Sequence, residues 1–307
     1  MRIHMNQNLR RVLRHAGLVI IGWPVFKKLS DESYLKWKYR IFYGKRLNLD
    51  HPVTFNEKIQ WLKLNDRNPS YTLMVDKAKV KDYVAEIIGA DKIIPTYGVW
   101  DSVDKIDFSL LPDRFVLKCT HDSSSVVICR DRSQFDVAKA KERLTHGLTK
   151  DFFSAGREWA YKGLRPRIIA EKYMSDSGDN TSSELRDYKF FCFNGKVKCF
   201  KVDFDRFVKH RANYYDPNGY LLPFGEVVCP ADPNREIWLP ENLSEMVSTA
   251  EKLAVGIPFV RVDLYNVNGR IYFGEMTFYP ASGFGFFNPD EWDHKLGQWL
   301  ILPEKRC

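Results

Sequence analysis

An α+β fold is predicted for this 307-residue chain, and three observations carry the prediction. Strands come in adjacent pairs: Asp187–Phe193 and Lys196–Phe204 flank Asn194-Gly195, and Phe259–Tyr265 and Arg270–Thr277 flank Asn266–Gly269. Segments with helical periodicity and their own start and stop signals lie between these pairs. No Gly-rich turn opens an alternating strand–helix series, which disfavours a doubly wound parallel sheet.

The elements follow in order. Residues 31–46 carry Tyr34, Trp37, Tyr39, Phe42 and Tyr43 among basic residues, as in a helix with an aromatic face. Thr54-Phe-Asn-Glu57 is a capping box, with Ile59, Trp61, Leu62 and Leu64 supplying apolar positions behind it. A second helix is expected from about Asp76 to Ile88, stopped by Gly89. Phe115–Cys119 and Val126–Cys129 read as strands around the polar loop Thr120–Ser125, and Ser133 is expected to cap a helix reaching about Leu148. Arg167–Met174 is a strand ending in polar residues, Ser175–Ser183 a mobile loop, and 206–240 a loop-rich segment. Helices are expected from Pro240 to about Val255 and from about Pro289 to Leu300, with the second hairpin and the turn Pro280–Gly283 between them.

Composition is that of an ordinary globular protein, 44% hydrophobic and 28% charged. The six cysteines form no CxxC pair and no metal-ligand spacing, so reduced thiols are expected. The net charge of +8 is uneven: residues 1–46 hold eleven Lys/Arg against two Asp/Glu, and the rest of the chain is close to neutral. That argues against nucleic acid as the main partner and points to an anionic surface or polymer near the arm. The apolar run Ala16–Phe26 is too short to span a bilayer, and no small-residue cleavage site follows it. Two readings stand: a segment lying on the inner membrane leaflet, or a helix packed on the body.

The last hairpin holds the densest chemistry. Arg261 and Asp263 share one strand face, and so do Glu275 and Thr277. A two-residue loop at Asn268-Gly269 without a bulge would turn Glu275 away from Asp263. A three-residue loop centred on Gly269 sets Asp263 opposite Glu275 and Arg261 opposite Thr277, and this register is the expected one. Facing carboxylates destabilise a sheet unless neutralised, and paired oxygen ligands suit magnesium. An exposed charged edge is the alternative. Upstream, Ser123-Ser-Ser125 follows Lys118, as in a loop that folds over phosphates or in a plain polar turn. The end of the strand Glu171-Lys172-Tyr173-Met174 can bind a purine edge, and Lys189 either binds phosphate or pairs with Asp187.

This order of residues resembles the ATP-grasp ligases. Leu47–Leu62, Asp187–Gly195 and Phe273–Gly283 resemble, more narrowly, the TupA-like ATP-grasp proteins, which occur among bacterial surface-polysaccharide genes. The likeness covers about residues 35–302. It implies an ATP-grasp fold, two α+β lobes clamping ATP between antiparallel sheets, with a helical basic N-terminal extension. The expected division is a basic arm (1–46), a helical lead-in (47–113), a small lobe with the phosphate lid (114–174), a large lobe with the metal site (175–302) and a tail (303–307).

The implied reaction joins a carboxylate to an amine through an acyl phosphate, with ATP and Mg2+. By resemblance, Lys77, Lys118 and Lys189 contact phosphates and Ser123, Ser124 and Ser125 form the lid. Glu171, Lys172, Tyr173 and Met174 hold adenine, Asp263, Glu275 and Thr277 hold metal, and Arg261 stabilises the acyl phosphate. The expected substrates are a uronic acid of an acidic surface glycan and an amino acid or other amine, met by Arg206, Arg211 and Ser282. The expected place is the bacterial cytoplasm, at the inner face of its membrane. Two departures stand out: the lid lacks glycine and carries Asp122, and Thr277 stands where asparagine is usual. Two other classes remain open. One is a glycosyltransferase using Asp203-Phe-Asp205 on a sugar-nucleotide metal; the other is a non-catalytic glycan-binding relative.

Overall fold

The computed structural model describes residues 17, 21–175, 185–205 and 208–304. The expected mobile loop from Ser175 to Ser183 therefore falls almost wholly outside the described residues, as do Arg206 and Cys307.

The N-terminal part is helical. α1 (Pro24–Lys27) is a single turn, and α2 (Asp31–Tyr43) starts at Ser30, whose hydroxyl accepts from Ser33 N, and ends at left-handed Gly44. α3 (Phe55–Asn65) has both arms of the predicted capping box: Glu57 N donates to Thr54 Oγ1 at 3.2 Å and Thr54 N to Glu57 Oε2 at 3.1 Å. A short helix outside the expected elements, α4 (Ser70–Val75), comes next, and the helix expected from about Asp76 to Ile88 starts later, as α5 (Val80–Ile88). The chain leaves the helical path at Asp76, whose carboxylate is bound by the following backbone amides and by Arg167.

Two antiparallel sheets follow. β1 (Thr96–Trp100), β2 (Phe115–Cys119), β3 (Val127–Cys129) and β4 (Ile168–Lys172) form a four-stranded sheet in the order β1-β4-β2-β3. β1 lay outside the predicted strands; its short, largely exposed run offers no clean alternation. α6 (Val137–Leu148) packs on this sheet through Leu144 against Phe115, Leu117 and Ile168. Its cap is Asp136, which accepts from Lys139 N at 3.0 Å, and not Ser133, which sits in a preceding 3-10 turn. The short α7 (Phe152–Gly156) leads back to β4.

The larger sheet has the order β11-β10-β5-β6-β7-β8, from β5 (Asp187–Phe193), β6 (Lys196–Phe204), β7 (Arg211–Tyr215), β8 (Leu221–Leu222), β10 (Phe259–Val267) and β11 (Arg270–Thr277). β9 (Gly225–Glu226) pairs with β12 (Phe287–Asn288), so the segment 206–240 is less loop-rich than its sequence suggests. Period-2 alternation splits the large sheet into two faces. Phe190, Phe200, Val202, Val260, Val262 and Leu264 join the main core, together with Met246, Ala250 and Leu253 of α8 (Leu243–Leu253). The opposite face carries Asp187, Lys189, Lys201, Asp203, Arg261 and Asp263 toward the small sheet. α9 (Glu291–Trp299) closes the chain against α3.

The last hairpin corrects one expectation and keeps its consequence. Asn268 and Gly269, both left-handed, make a two-residue turn with Val267 opposite Arg270. The three-residue loop is absent. Register nevertheless shifts by one between Asp263 and Leu264, because Gly274 is an extra residue on β11. Beyond this bulge Asp263 stands opposite Glu275 and Arg261 opposite Thr277. Burial confirms the change of parity: Ile271 and Phe273 point to the core before it, Met276 and Phe278 after it. A side chain at Gly274 would meet the Asp263 carbonyl at 3.0 Å and the Tyr265 ring at 3.1 Å. Gly274→Val is therefore expected to lower stability by about 1–3 kcal/mol, measured by chemical denaturation, through strain at the bulge.

Candidate active site

Between the two sheets lies a cleft of about 540 Å³. Ile94, Val116, Val126, Ile128, Met174 and Leu185 give it apolar walls, and the charged face of the large sheet forms its floor.

The floor is built by strand register. Asp263 pairs with Lys189 on β5 and Glu275 on β11, and Lys189 pairs with Lys201 on β6. Arg261 holds the two carboxylates together: Nε donates to Asp263 Oδ1 at 2.6 Å, and Nη2 reaches Asp263 Oδ2 at 2.7 Å and Glu275 Oε1 at 3.1 Å. The same Nη2 donates to Thr277 Oγ1 at 3.1 Å, and that hydroxyl donates to Glu275 at 3.2 Å. Lys189 faces three carboxylates, Asp187, Asp203 at 3.0 Å and Asp263 at 3.7 Å. Both sequence readings of Lys189 thus remain open, since it pairs with Asp187 and also lines the cleft.

Burial pushes both acids up, but the net results are opposite. It raises Asp263 to about 6 despite Arg261 and Lys189. For Glu275 burial is outweighed by Lys77 and Arg261, which hold the carboxyl at about 2. The donor set is two carboxylates on facing strands with a hydroxyl beside them, and a cation already bridges the carboxylates. Oxygen ligands of this kind fit magnesium.

The roof comes from the small sheet. Lys77 Nζ lies 3.4 Å from Glu275 Oε2 and donates to the Asp122 carbonyl at 2.9 Å, so it connects floor and lid. Ser123 lines the cleft. The hydroxyls of Ser124 and Ser125 instead donate to Asp122, and that of Ser125 also accepts from Cys119 N. Asp122 itself is buried and lies 3.1 Å from Lys150 Nζ. Burial raises its pKa, but the Ser125 and Lys150 contacts outweigh burial and hold the carboxyl below its ordinary value. The negative charge expected to oppose phosphate is therefore neutralised from behind. Lys150 lies 28 residues away in sequence, and no local signal announces it.

Glu171 lines the cleft, but its carboxylate is held by Lys81 and Lys118 at 2.6 Å each. Lys172, Tyr173 and Met174 line the cleft where β4 ends. The Tyr173 ring carries the Arg114 guanidinium 4.4 Å from its centroid. Lys81 was missed, although it lies one helical turn beyond Lys77, a spacing that could have found it.

The expected substrate residues do not gather here. Arg211 pairs with Asp232 at 3.8 Å, away from the cleft. Ser282 is locked into a turn with left-handed Ala281 and Ser282, where its carbonyl and hydroxyl accept from buried Lys63 at 2.8 and 3.0 Å. Arg206 lies outside the described residues. Nor do Asp203 and Asp205 converge: Asp203 is held by Lys189 and His210, and left-handed Asp205 lies 4.0 Å from Arg235. Asp203, His210 and Cys229 bring three ligand atoms within 4.8 Å of one another. Lys201 Nζ, however, stands 3.7 Å from Asp203 and 3.9 Å from Cys229, a fixed positive charge beside the position a metal would need.

The Glu171 contacts have a measurable consequence. Burial raises its pKa, and Lys118 and Lys81 more than reverse that, leaving it below 4.5. The stability it contributes is complete above that pH and is lost as pH falls through the folded value. Glu171→Gln leaves two half-buried lysines without their anion and is expected to cost roughly 1–3 kcal/mol near neutral pH, with a flatter acid limb in denaturation against pH.

Comparison with known proteins follows this geometry. A family model described as TupA-like ATP-grasp matches residues 57–301. No curated protein matches the sequence. Among solved structures the chain is similar to the ATP-grasp ligase PsnB complexed with a minimal precursor, at 10% identity over 73% of this chain and 59% of that one, with a TM-score of 0.38. It is also similar to D-alanine–D-alanine ligases. For the Bacillus anthracis enzyme complexed with ATP, identity is 16%, coverage 75% and 65%, and TM-score 0.41. For the Helicobacter pylori enzyme the values are 14%, 80% and 69%, and 0.39. The chain spans less than two thirds of the length of the PsnB and Bacillus anthracis ligases. By its match over most of its length, the chain belongs to the TupA-like ATP-grasp family and has the ATP-grasp fold.

Proposed function

We propose that the protein is an ATP-dependent carboxylate–amine ligase that works through an acyl phosphate. The observation that carries this reading is the register of β10 and β11, which collects Arg261, Asp263, Glu275 and Thr277 on the cleft floor beneath Lys77. Asp263 and Glu275, with Thr277 beside them, would hold Mg2+, which when bound supplies charge neutralisation on the phosphates.

The residues of the chain do the remaining work. Lys77, Lys118 and Lys189 now pair with carboxylates and would exchange part of that pairing for phosphate oxygens. Lys172, Tyr173 and Met174, with Ile94, Val116 and Ile128, offer a purine a strand edge and apolar walls. A substrate carboxylate oxygen attacks the γ-phosphorus and ADP departs. An amine then attacks the acyl carbon, the C–O bond to phosphate breaks, and the amine loses a proton. Arg261 stands where it can stabilise the oxyanion of that second step. The loop Thr120–Ser125, anchored by Asp122 to Lys150, would shield the acyl phosphate from water.

The substrate class follows from the family and from charge. The carboxylate is a uronic acid of a bacterial surface polysaccharide, and the partner is an amino acid or other amine. The site of action is the cytoplasm, close to lipid-linked glycan. Incubation with ATP, magnesium, a uronic-acid glycan and an amino-acid mixture is expected to yield ADP, phosphate and an amide. Asp263→Asn and Glu275→Gln are each expected to lower turnover roughly a hundredfold or more. AMP and pyrophosphate as products would rule out the acyl phosphate, and sugar transfer without ATP turnover would rule out the ligase.

A further inference from the structure

The N-terminal extension resolves into two faces. Ile21, Tyr34, Leu35, Tyr39 and Leu47 are buried with Phe284 of the body. Tyr43 Oη donates to the Gly285 carbonyl at 2.8 Å and Lys38 Nζ to the Ala155 carbonyl at 2.6 Å. Of the described part of the apolar run, Ile21 joins this cluster and Phe26 packs against it. The stretch is docked on one side only. Trp23 is 56% exposed, Val25 63% and Trp37 54%, while Ile21, Tyr34, Leu35 and Tyr39 of the same stretch are buried.

Basic residues are exposed along the same stretch of chain. Lys28, Lys36, Arg40, Lys45 and Arg46 are all exposed. The only acids of residues 1–46 are already paired, Asp31 with Arg67 and Arg157, and Glu32 with Lys36. Upstream, Arg2, Arg10, Arg11 and Arg14 precede Leu18-Val-Ile20 in the sequence. No helix among the described residues is long and apolar enough to cross a membrane.

We propose that residues 21–46 seat the protein on an anionic lipid bilayer. Trp23, Val25 and Trp37 enter the boundary between headgroups and acyl chains, and the basic residues lie among the headgroups. Both halves of the surface are needed for this choice. Positive charge alone would suit any polyanion, including an acidic glycan. An exposed valine gains little from a hydrated polymer but is stabilised by transfer into the interface, where tryptophan also partitions. The inward face stays on the body, so the globular part is carried to the bilayer surface as a whole. This inference does not depend on the ligase reading, because binding to lipid requires no ATP.

The test is co-sedimentation of the full chain with vesicles, with tryptophan emission followed in parallel. Vesicles containing phosphatidylglycerol are expected to bind the protein, shift its emission to the blue and release it at high salt. Vesicles of phosphatidylcholine alone are expected to bind it at least roughly tenfold more weakly. The double variant Trp23→Ser/Trp37→Ser is expected to lose roughly tenfold or more in vesicle affinity with unchanged thermal unfolding, since both side chains are exposed. Equal binding to both vesicle types would overturn the proposal, as would no binding to either. So would full binding by the double variant. Polygalacturonate that produces the same blue shift without lipid would assign the surface to an acidic glycan instead.

Discussion

Two carboxylates facing each other across a hairpin are the constraint on which the rest of this structure depends. Asp263 and Glu275 are opposed on adjacent strands in a largely buried setting, where like charges repel strongly. The fold answers with cations aimed at the same spot: Arg261 from the neighbouring position, Lys189 from β5 and Lys77 from the segment before α5. None of these can be removed without leaving another charge unmatched. The network is therefore stable as a set and open to exchange, because each cation that now satisfies a protein carboxylate is also able to satisfy a phosphate.

The small sheet repeats this logic at the roof. Glu171 holds Lys118 and Lys81, and Asp122 is held by Lys150, so each acid near the cleft carries its own counter-charge. Asp122 is the residue that departs most visibly from a glycine-containing lid. Its burial among Ser124, Ser125 and Lys150 makes it an anchor for the loop, and this removes the support that the altered lid lent to a non-catalytic reading. Asp203 and Asp205 have different partners, Lys189 and His210 for the first and Arg235 at 4.0 Å for the second.

The turn beyond β11 is organised differently. Asn56, Gln60 and Lys63 lie on one buried face of α3 and donate to backbone carbonyls between Ser282 and Gly285. They hold Ala281 and Ser282 in the left-handed region, a conformation that side chains other than glycine adopt only when the surroundings impose it. Ser282 is thus part of the scaffold directly beyond β11, and its hydroxyl is occupied by Lys63. The capping box that starts α3 was legible from Thr54 and Glu57 alone; the use of the helix's polar face was not.

Local chemistry decided much of what the sequence determined by itself. The Asn-Gly turns, the capping box and the period-2 strands follow from backbone preferences and burial over a few residues, and they suffice for an α+β fold with two hairpins. The order Lys77, Lys118, Glu171, Lys189, Arg261, Asp263, Glu275 was legible through its resemblance to the ATP-grasp ligases, whereas strand spacing by itself placed only Arg261 with Asp263 and Glu275 with Thr277 on one face. The tertiary structure alone decided how those faces meet. The two-residue turn would have sent Glu275 to the wrong side, and only the bulge at Gly274 returns it to Asp263. The bulge and the inward turn of Ser125 form within short segments, whereas Lys150 behind Asp122 and the second lysine on Glu171 join segments far apart in the chain. Such contacts leave little local pattern, because long-range geometry and the need to neutralise buried charge select them.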